Sequence, residues 1–522
     1  MRYGGAWRTA LVTCALCCFG WLEVDTAAAV AHATSDAVAS GGAPVGGSDT
    51  RAGGAADSAA VGRIPLPFAV DPYPTTYKPL PRTDTLIVGA TILDGAGRRI
   101  DNGDVLVRDG RIVAVGHGLE AKGVTTIDAH GHWVTPGIID VHSHDGVYPI
   151  PSTSGEEDSS DVAELSDPDD ADTWIEHAVN AQDPAFAAAL RSGVTTLQIL
   201  PGSTPLFSGR SVIVKPVPAA DVYGMKFPGA GQGLKMACGE NPKSYFGEKG
   251  RAPNSRQGEI ALVRAAFLKA QEYLQGWRDY ESGARATPPE RDLKMDTLAA
   301  VLTGDIAVHM HCYRSGDMTT MLGVAAEFGF RIRAFHHAAE AYKVVDQLKK
   351  AGTCVAVWSD WWGFKMELVD AIRENAAIVD AAGGCVMMHS DSATVGQRLT
   401  IEAAKAAAAG RRAGLNLPPE HIIRWVTSTP AKALGLDDRI GTLAPGRNAD
   451  VVIWSGDPFS IYTKADQVFI DGALAYDRSK PRSAPGPDLL LGRPEAGAAE
   501  RAGGKSVVPE QEGETDTAGV HP

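Results

Sequence analysis

From residue 84 the chain alternates apolar and polar residues at period two. The run Asp84-Thr-Leu-Ile-Val-Gly-Ala-Thr-Ile-Leu does so, and Gly103-Asp-Val-Leu-Val-Arg-Asp-Gly-Arg-Ile-Val-Ala-Val repeats it. Alternate side chains of a strand face opposite sides, so both runs read as half-buried strands. Asp109-Gly110, inside the second run, is a hairpin-turn dipeptide. The pattern returns near the other end, in Ala449-Asp-Val-Val-Ile-Trp and Gln467-Val-Phe-Ile-Asp-Gly. Two β patches that bracket a long middle predict one small β-sandwich domain formed from both ends, residues 80–134 and 438–482.

The middle, residues 135–437, reads as α/β. Short apolar β-type runs fall at 138–141, 194–200, 212–214, 234–237, 306–310, 332–335, 354–358 and 385–388. Helical patterns lie between several of them, at 260–280, 317–328, 339–350 and 395–409. Eight runs fit a (β/α)8 TIM-type barrel inserted into the sandwich. A doubly wound open sheet fits the same pattern. No Gly-rich nucleotide loop follows an early run, which argues against it.

The flanks change the picture only at the edges. Arg2 and Arg8 precede an apolar run over residues 9–22, and Ala-x-Ala sites follow at 27–29, 29–31 and 31–33. The run is shorter than the ~20 residues that span a bilayer. Residues 1–33 therefore read as a cleaved signal peptide, with no membrane span and a periplasmic or secreted product. Residues 34–79 read as linker and N-terminal extension. Residues 483–522, rich in Gly, Pro, Glu and Ala, read as a disordered tail. The net charge of -14, with no basic cluster, excludes nucleic acid as a partner. Oligomeric state is left open, a homo-oligomer included. Cys238, Cys312, Cys354 and Cys385 lie in or beside strands without a close Cys-x-x-Cys pair, and read as buried apolar fillers.

Chemistry enters at Thr135-Pro-Gly-Ile-Ile-Asp-Val-His-Ser-His. His142 and His144 share a face and end an apolar run, a spacing that lets two imidazoles hold one metal ion. Histidine is scarce, 14 in 522 residues, yet His309 and His311 end a later run and His336 and His337 the next. Asp391 follows the last run, within Met387-Met-His-Ser-Asp.

These phrases resemble the amidohydrolase superfamily, in its imidazolonepropionase-like and dipeptidase-like branch. The resemblance runs over about residues 80–480. It is carried by Pro136-Gly-Ile-Ile-Asp-Val-His-Ser-His, His311-Cys-Tyr-Arg-Ser-Gly-Asp, His337-Ala-Ala-Glu-Ala-Tyr and His389-Ser-Asp. Thr427-Ser-Thr-Pro-Ala-Lys-Ala-Leu-Gly-Leu and Gly441-Thr-Leu-Ala-Pro-Gly-Arg-Asn-Ala-Asp-Val-Val extend it. The resemblance implies that His142 and His144 bind a buried metal. It implies that His311 and His337 bind a second metal or touch substrate. Asp391 would contact metal and act as general base on the attacking water. The expected cofactor is zinc, as one or two divalent ions, with Fe, Mn or Ni as alternatives. The bridging ligand is a carbamylated lysine or a glutamate in this family. Lys235 and Glu240 both qualify, and Glu240 is preferred here because it is already an anion.

Tyr313, Arg314 and Trp358 follow strand runs and are expected to line the substrate site, with His309 and His336 in a substrate or supporting role. Arg314 suits a substrate carboxylate. The acidic stretch 151–172 reads as a solvated insert in preference to a lid. The expected activity is hydrolysis of a C–N bond in a small amide, cyclic amide or dipeptide. The alternatives are a metal-dependent deaminase or isomerase on the same scaffold, and a non-catalytic exported metal-binding protein.

Overall fold

The computed structural model describes residues 66–148, 160–361 and 363–480. The expected signal peptide, most of the linker, residues 151–159 of the acidic insert and the whole tail lie outside the described residues.

Strands β1 (Thr85–Leu93), β2 (Arg99–Arg108), β3 (Arg111–Gly116), β4 (Thr125–Asp128) and β5 (Trp133–Pro136) come from the N-terminal side. The barrel strands follow: β6 (Ile138–Ser143), β7 (Val194–Ile199), β8 (Phe207–Val214), β9 (Gly233–Ala237), β10 (Ala307–Cys312), β11 (Ile332–His337), β12 (Cys354–Val357) and β13 (Val386–Met388). The chain ends its ordered part in β14 (Val451–Trp454), β15 (Ala465–Ile470) and β16 (Ala473–Asp477).

One sheet takes strands from both ends, in the order β16-β15-β14-β5-β1-β2-β3, with β4 also on β1. Asp109 and Gly110 close the β2–β3 hairpin with φ of 49° and 75°, the left-handed pair that a tight hairpin turn requires. The join between the two ends is β14 against β5, antiparallel, with Val451 opposite Pro136. A buried ion cluster ties this sheet to the barrel. Lys215 Nζ lies 3.1 Å from Asp450 and 3.2 Å from Asp471, and Tyr77 donates to Asp471 at 2.6 Å. Removing one member would strand a buried charge, so the cluster holds as a unit.

β6 to β13 form a nearly closed eight-stranded barrel in sequence order. All eight apolar runs are strands. They read as continuous apolar stretches because both faces of a covered barrel strand are buried. The third strand departs from the (β/α)8 expectation: β8 runs antiparallel to β7 and to β9. Residues 200–206 alone join β7 to β8, too short for the crossover of a dozen or more residues that a parallel pair needs. The helix expected at 339–350 is a short 3-10 turn, Ala341–Lys343, and then a helix from Val345 to Ala351. Val344, with a φ of -133°, leaves the helical path between the two and splits them.

The cysteines are also corrected. They are buried, but Cys238 is bonded to Cys312 across β9 and β10, and Cys354 to Cys385 across β12 and β13. Sequence spacing hid these pairs because neighbouring barrel strands bring together residues 74 and 31 positions apart.

The long helix Arg256–Glu281 covers the barrel through Phe267, fully buried, whose ring stacks on Phe330 at 4.4 Å and meets Phe207 at 5.8 Å. Phe267→Ala is expected to cost about 3–5 kcal/mol, the range for a large core aromatic. Thermal unfolding would read this as a clear fall in Tm, and an unchanged Tm would refute the packing described.

Candidate metal centre

β6 delivers its histidines to the barrel mouth because Pro136-Gly137 turns the chain directly into the barrel. Gly137 packs flat on β7: a Cβ there would stand 1.9 Å from Thr195 Oγ1. Gly137→Ala must push β6 off β7 and is expected to cost about 1–3 kcal/mol. Because β6 carries His142, bound metal per chain should fall along with Tm. Metal analysis beside a melting curve checks both.

The last strand closes onto the first through side chains. Asp140 Oδ1 accepts from the backbone N–H of His142 at 3.1 Å and of Ser390 at 3.2 Å. Ser390 Oγ and the Asp391 N–H both donate to the His142 carbonyl, at 3.0 and 2.9 Å. This seam sets Asp391 beside the β6 histidines. Its carboxylate Oδ1 is 3.2 Å from His142 Nε2 and 3.0 Å from His144 Nε2, and Oδ2 is 4.0 Å from His337 Nδ1. Asp391 holds a φ of 54° and His337 one of 70°, uncommon for residues other than glycine. Strained backbone at two clustered functional groups is a mark of a site that the surroundings over-determine.

The proton positions can be followed through the cluster. His144 Nδ1 lies 2.8 Å from the Leu200 carbonyl, so Nδ1 carries a proton that it donates there. On a neutral ring, Nε2 is then a lone pair facing the Asp391 carboxylate. His142 Nδ1 lies 3.1 Å from His336 Nδ1, and His336 Nε2 lies 3.0 Å from His309 Nδ1. If His142 keeps Nε2 free, its Nδ1–H donates to His336, and His336 in turn donates to His309. Burial holds all three rings neutral: it pushes His142 and His336 far below their ordinary values and His309 down to about 3. Each nearby cationic group, Lys235 included, works in the same direction.

A divalent cation fits these donors. His142 and His144 aim lone pairs at an anionic carboxylate, an arrangement that needs a positive charge between them. Both ring nitrogens of His311 and of His389, and Nδ1 of His337, are buried without a hydrogen-bond partner. Orphaned buried nitrogens cost ~1–3 kcal/mol each unless something binds them. Two donor sets within ligand reach share His142: one with His144 and Asp391, the other with His337 and His389. Imidazole and carboxylate donors suit zinc and its first-row neighbours.

Lys235 and Glu240 separate clearly. Lys235 is fully buried inside the barrel, with Nζ 3.4 Å from His142 Nε2 and 3.2 Å from the Pro201 carbonyl. Burial lowers its ammonium to about 7, with Asp391 opposing the shift. Glu240 belongs to neither donor set. It starts the helix Glu240–Glu248, its N–H donates to Glu367 at 2.9 Å, and it lines a different cavity of about 440 Å³ with Arg256, Arg314 and Glu367. The structure brings Lys235, and not the preferred Glu240, to the histidine cluster. Strand β9 aims Lys235 inward, whereas Glu240 has already left the strand.

The remaining expectations sort by depth. His311 and His337 face each other with ring centroids 4.5 Å apart. Tyr313 and Trp358 form a wall: Tyr313 lies 4.5 Å from the His311 ring and Trp358 4.3 Å from the His337 ring. His309 and His336 sit behind His142, in a chain of ring contacts leading away from it. Arg314 lies outside the cluster, exposed. The described part of the acidic insert, residues 160–172, is anchored, with the Gly202 N–H donating to the Val162 carbonyl at 2.7 Å. Sequence reasoning gave His389 no role, yet it is buried among His142, His337 and Trp358. The usable signal was its place two residues before Asp391.

The chain is 31% identical over 403 residues to "Amidohydrolase tasK" of Hapsidospora irregularis, a match spanning 72% of this chain and 40% of that protein. It is 25% identical over 398 residues to an imidazolonepropionase of Mesorhizobium japonicum, covering 70% of this chain and 90% of the relative. A crystal structure of an amidohydrolase from Thermotoga maritima MSB8 superposes with a TM-score of 0.69 at 32% identity. It covers 76% of this chain and all of that one. The profile of the Amidohydrolase family matches residues 133–475, and the chain belongs to that family.

Proposed function

We propose that the protein is an exported, metal-dependent hydrolase of a C–N bond in a small amide, a cyclic amide or a dipeptide. The observation that carries the reading is Asp391, held against the lone pairs of His142 and His144 at the seam of the barrel. His142, His144 and Asp391 would hold one ion, and His311 and His337 a second, with Lys235 carbamylated between them and His389 beside the second. Zinc is the favoured metal. When bound, such an ion polarises the substrate carbonyl and makes hydroxide available near neutral pH.

The chain's own groups do the rest. Asp391 stays ionised: burial opposes this, but the imidazoles gathered around it, His144 and His337 first, hold its carboxyl well below the usual range. An anionic carboxylate at that position takes the proton of the attacking water and passes it to the leaving nitrogen. His336 and His309 fix the tautomer and aim of the His142 ring. Trp358 and Tyr313 exclude water from one side. Lys235, with an amine near 7, is neutral in a large fraction of molecules at pH 7, the form that reacts with carbon dioxide.

Two disulfides support export, since such bonds persist in oxidising compartments. No described helix is long and apolar enough to cross a membrane. We also read the separate sheet as the small sandwich expected from both ends of the chain.

Metal analysis of purified protein, with turnover followed by product identification, tests the function. About one or two ions per chain are expected, with a carboxylic acid and an amine as products. Full activity without metal would refute it. Release of ammonia from a ring, with no amide cleaved, would favour the deaminase.

A further inference from the structure

The barrel rim carries a cation that the hydrolytic centre does not use. Lys365 lies in the segment after β12, a strand parallel to β11 and β13, so it stands at the same end of the barrel as the metal centre. Its Nζ is 5.5 Å from the Tyr313 ring centroid, and that ring is 4.5 Å from His311. The ammonium is therefore one side chain away from the reacting centre.

Its partners are incomplete. Lys365 donates to the neutral Asn241 side chain and has no carboxylate within ion-pair distance among the described residues. An ammonium has three protons to give. Neighbouring cations are paired: Arg256 with Asp317 and Glu367, Lys343 with Glu340 and Asp370, and Lys405 with Asp360 and Glu402. Arg314 is exposed and screened by water, whereas Lys365 is half-buried and interacts more strongly with an incoming charge. Partial burial lowers its ammonium, while Glu240, Glu367 and Asp391 pull the other way. Beside it, Phe364 and Trp358 stand 6.2 Å apart edge to face and offer an apolar wall.

On the reading that this site hydrolyses an amide, we propose that Lys365 determines specificity by binding a carboxylate on the substrate. The favoured class is then an N-acyl amino acid or dipeptide with a free carboxylate and an apolar side chain, over its uncharged amide. Lys365 acts in binding and moves no proton.

The test uses full-length, metal-loaded protein carrying Asp391→Asn, which slows turnover about 10²–10⁴-fold. Titration calorimetry compares N-acetyl-L-phenylalanine with N-acetyl-L-phenylalaninamide. The acid should bind about 10-fold tighter or more, as a charged hydrogen bond implies. Adding Lys365→Met should erase the preference by weakening the acid alone, at unchanged metal content. Lys365→Arg should keep most of it. Equal binding of the two probes in the parent, a preference that survives Lys365→Met, or no binding of either probe would each overturn the proposal. Turnover of amides that needs metal and Asp391 but ignores Lys365 would leave the hydrolase reading standing while this one falls.

Discussion

Asp391→Asn is expected to lower kcat by about 10²–10⁴-fold, the span that a positioned general base supplies. Asparagine keeps the size of the side chain and one oxygen. It loses the negative charge that balances the metal centre and the basic oxygen that takes a proton. The bonds to the His142 carbonyl come from the Asp391 N–H and the Ser390 hydroxyl, and neither depends on the Asp391 side chain. The fold should survive, with Tm within a few degrees of the parent. His142 and His144 remain to hold metal. Steady-state kinetics, metal content and circular dichroism measured on one preparation separate chemistry from collapse. Near-parental turnover in this variant would remove Asp391 from the mechanism.

The second large effect is expected at Lys235. On the proposed carbamate bridge, Lys235→Ala should remove that anion and lower kcat on the order of 10³-fold, corresponding to several kcal/mol of lost charge stabilisation. Bound metal should drop by about one ion per chain, if the centre is binuclear. Glu240→Gln should leave metal content at the parental level, because Glu240 lines another cavity. Reconstitution adds an independent reading. Metal-free parent should recover faster with bicarbonate than without it and, at a fixed level of dissolved carbon dioxide, more so above pH 7, where more of the Lys235 amine is neutral. The sign follows from the direction: a lysine lowered to about 7 loses its proton as pH rises through that value. Full metal content and activity in Lys235→Ala would refute the bridging role.

The two candidates for the bridge show what sequence spacing can and cannot do. Lys235 and Glu240 are five positions apart, and both lay near the fourth apolar run. Chemistry alone favoured the carboxylate, which needs no modification. Strand β9 ends at Ala237, so Lys235 points into the barrel while Glu240 opens the next helix. One strand end reversed the preference. The histidine pairs show the same limit. Spacing could mark His309 with His311 and His336 with His337, but not which of each pair faces the mouth. Depth along a barrel strand decides that, and places His309 and His336 behind His142.

The eight barrel strands, the His142 and His144 pair, Asp391 and the sheet shared by both ends were legible from the sequence by itself. Apolar runs and period-two alternation are local, and a strand end that carries histidines stays recognisable wherever the chain folds. Tertiary structure alone decided the reversed β8, the two disulfides and the placing of Lys235 and His389 beside His142. Each depends on which residues distant in sequence become neighbours around a closed barrel, and no local pattern records that. The seam at Asp140, Ser390 and Asp391 is the clearest case. It joins positions some 250 residues apart and sets the geometry on which the proposed chemistry depends.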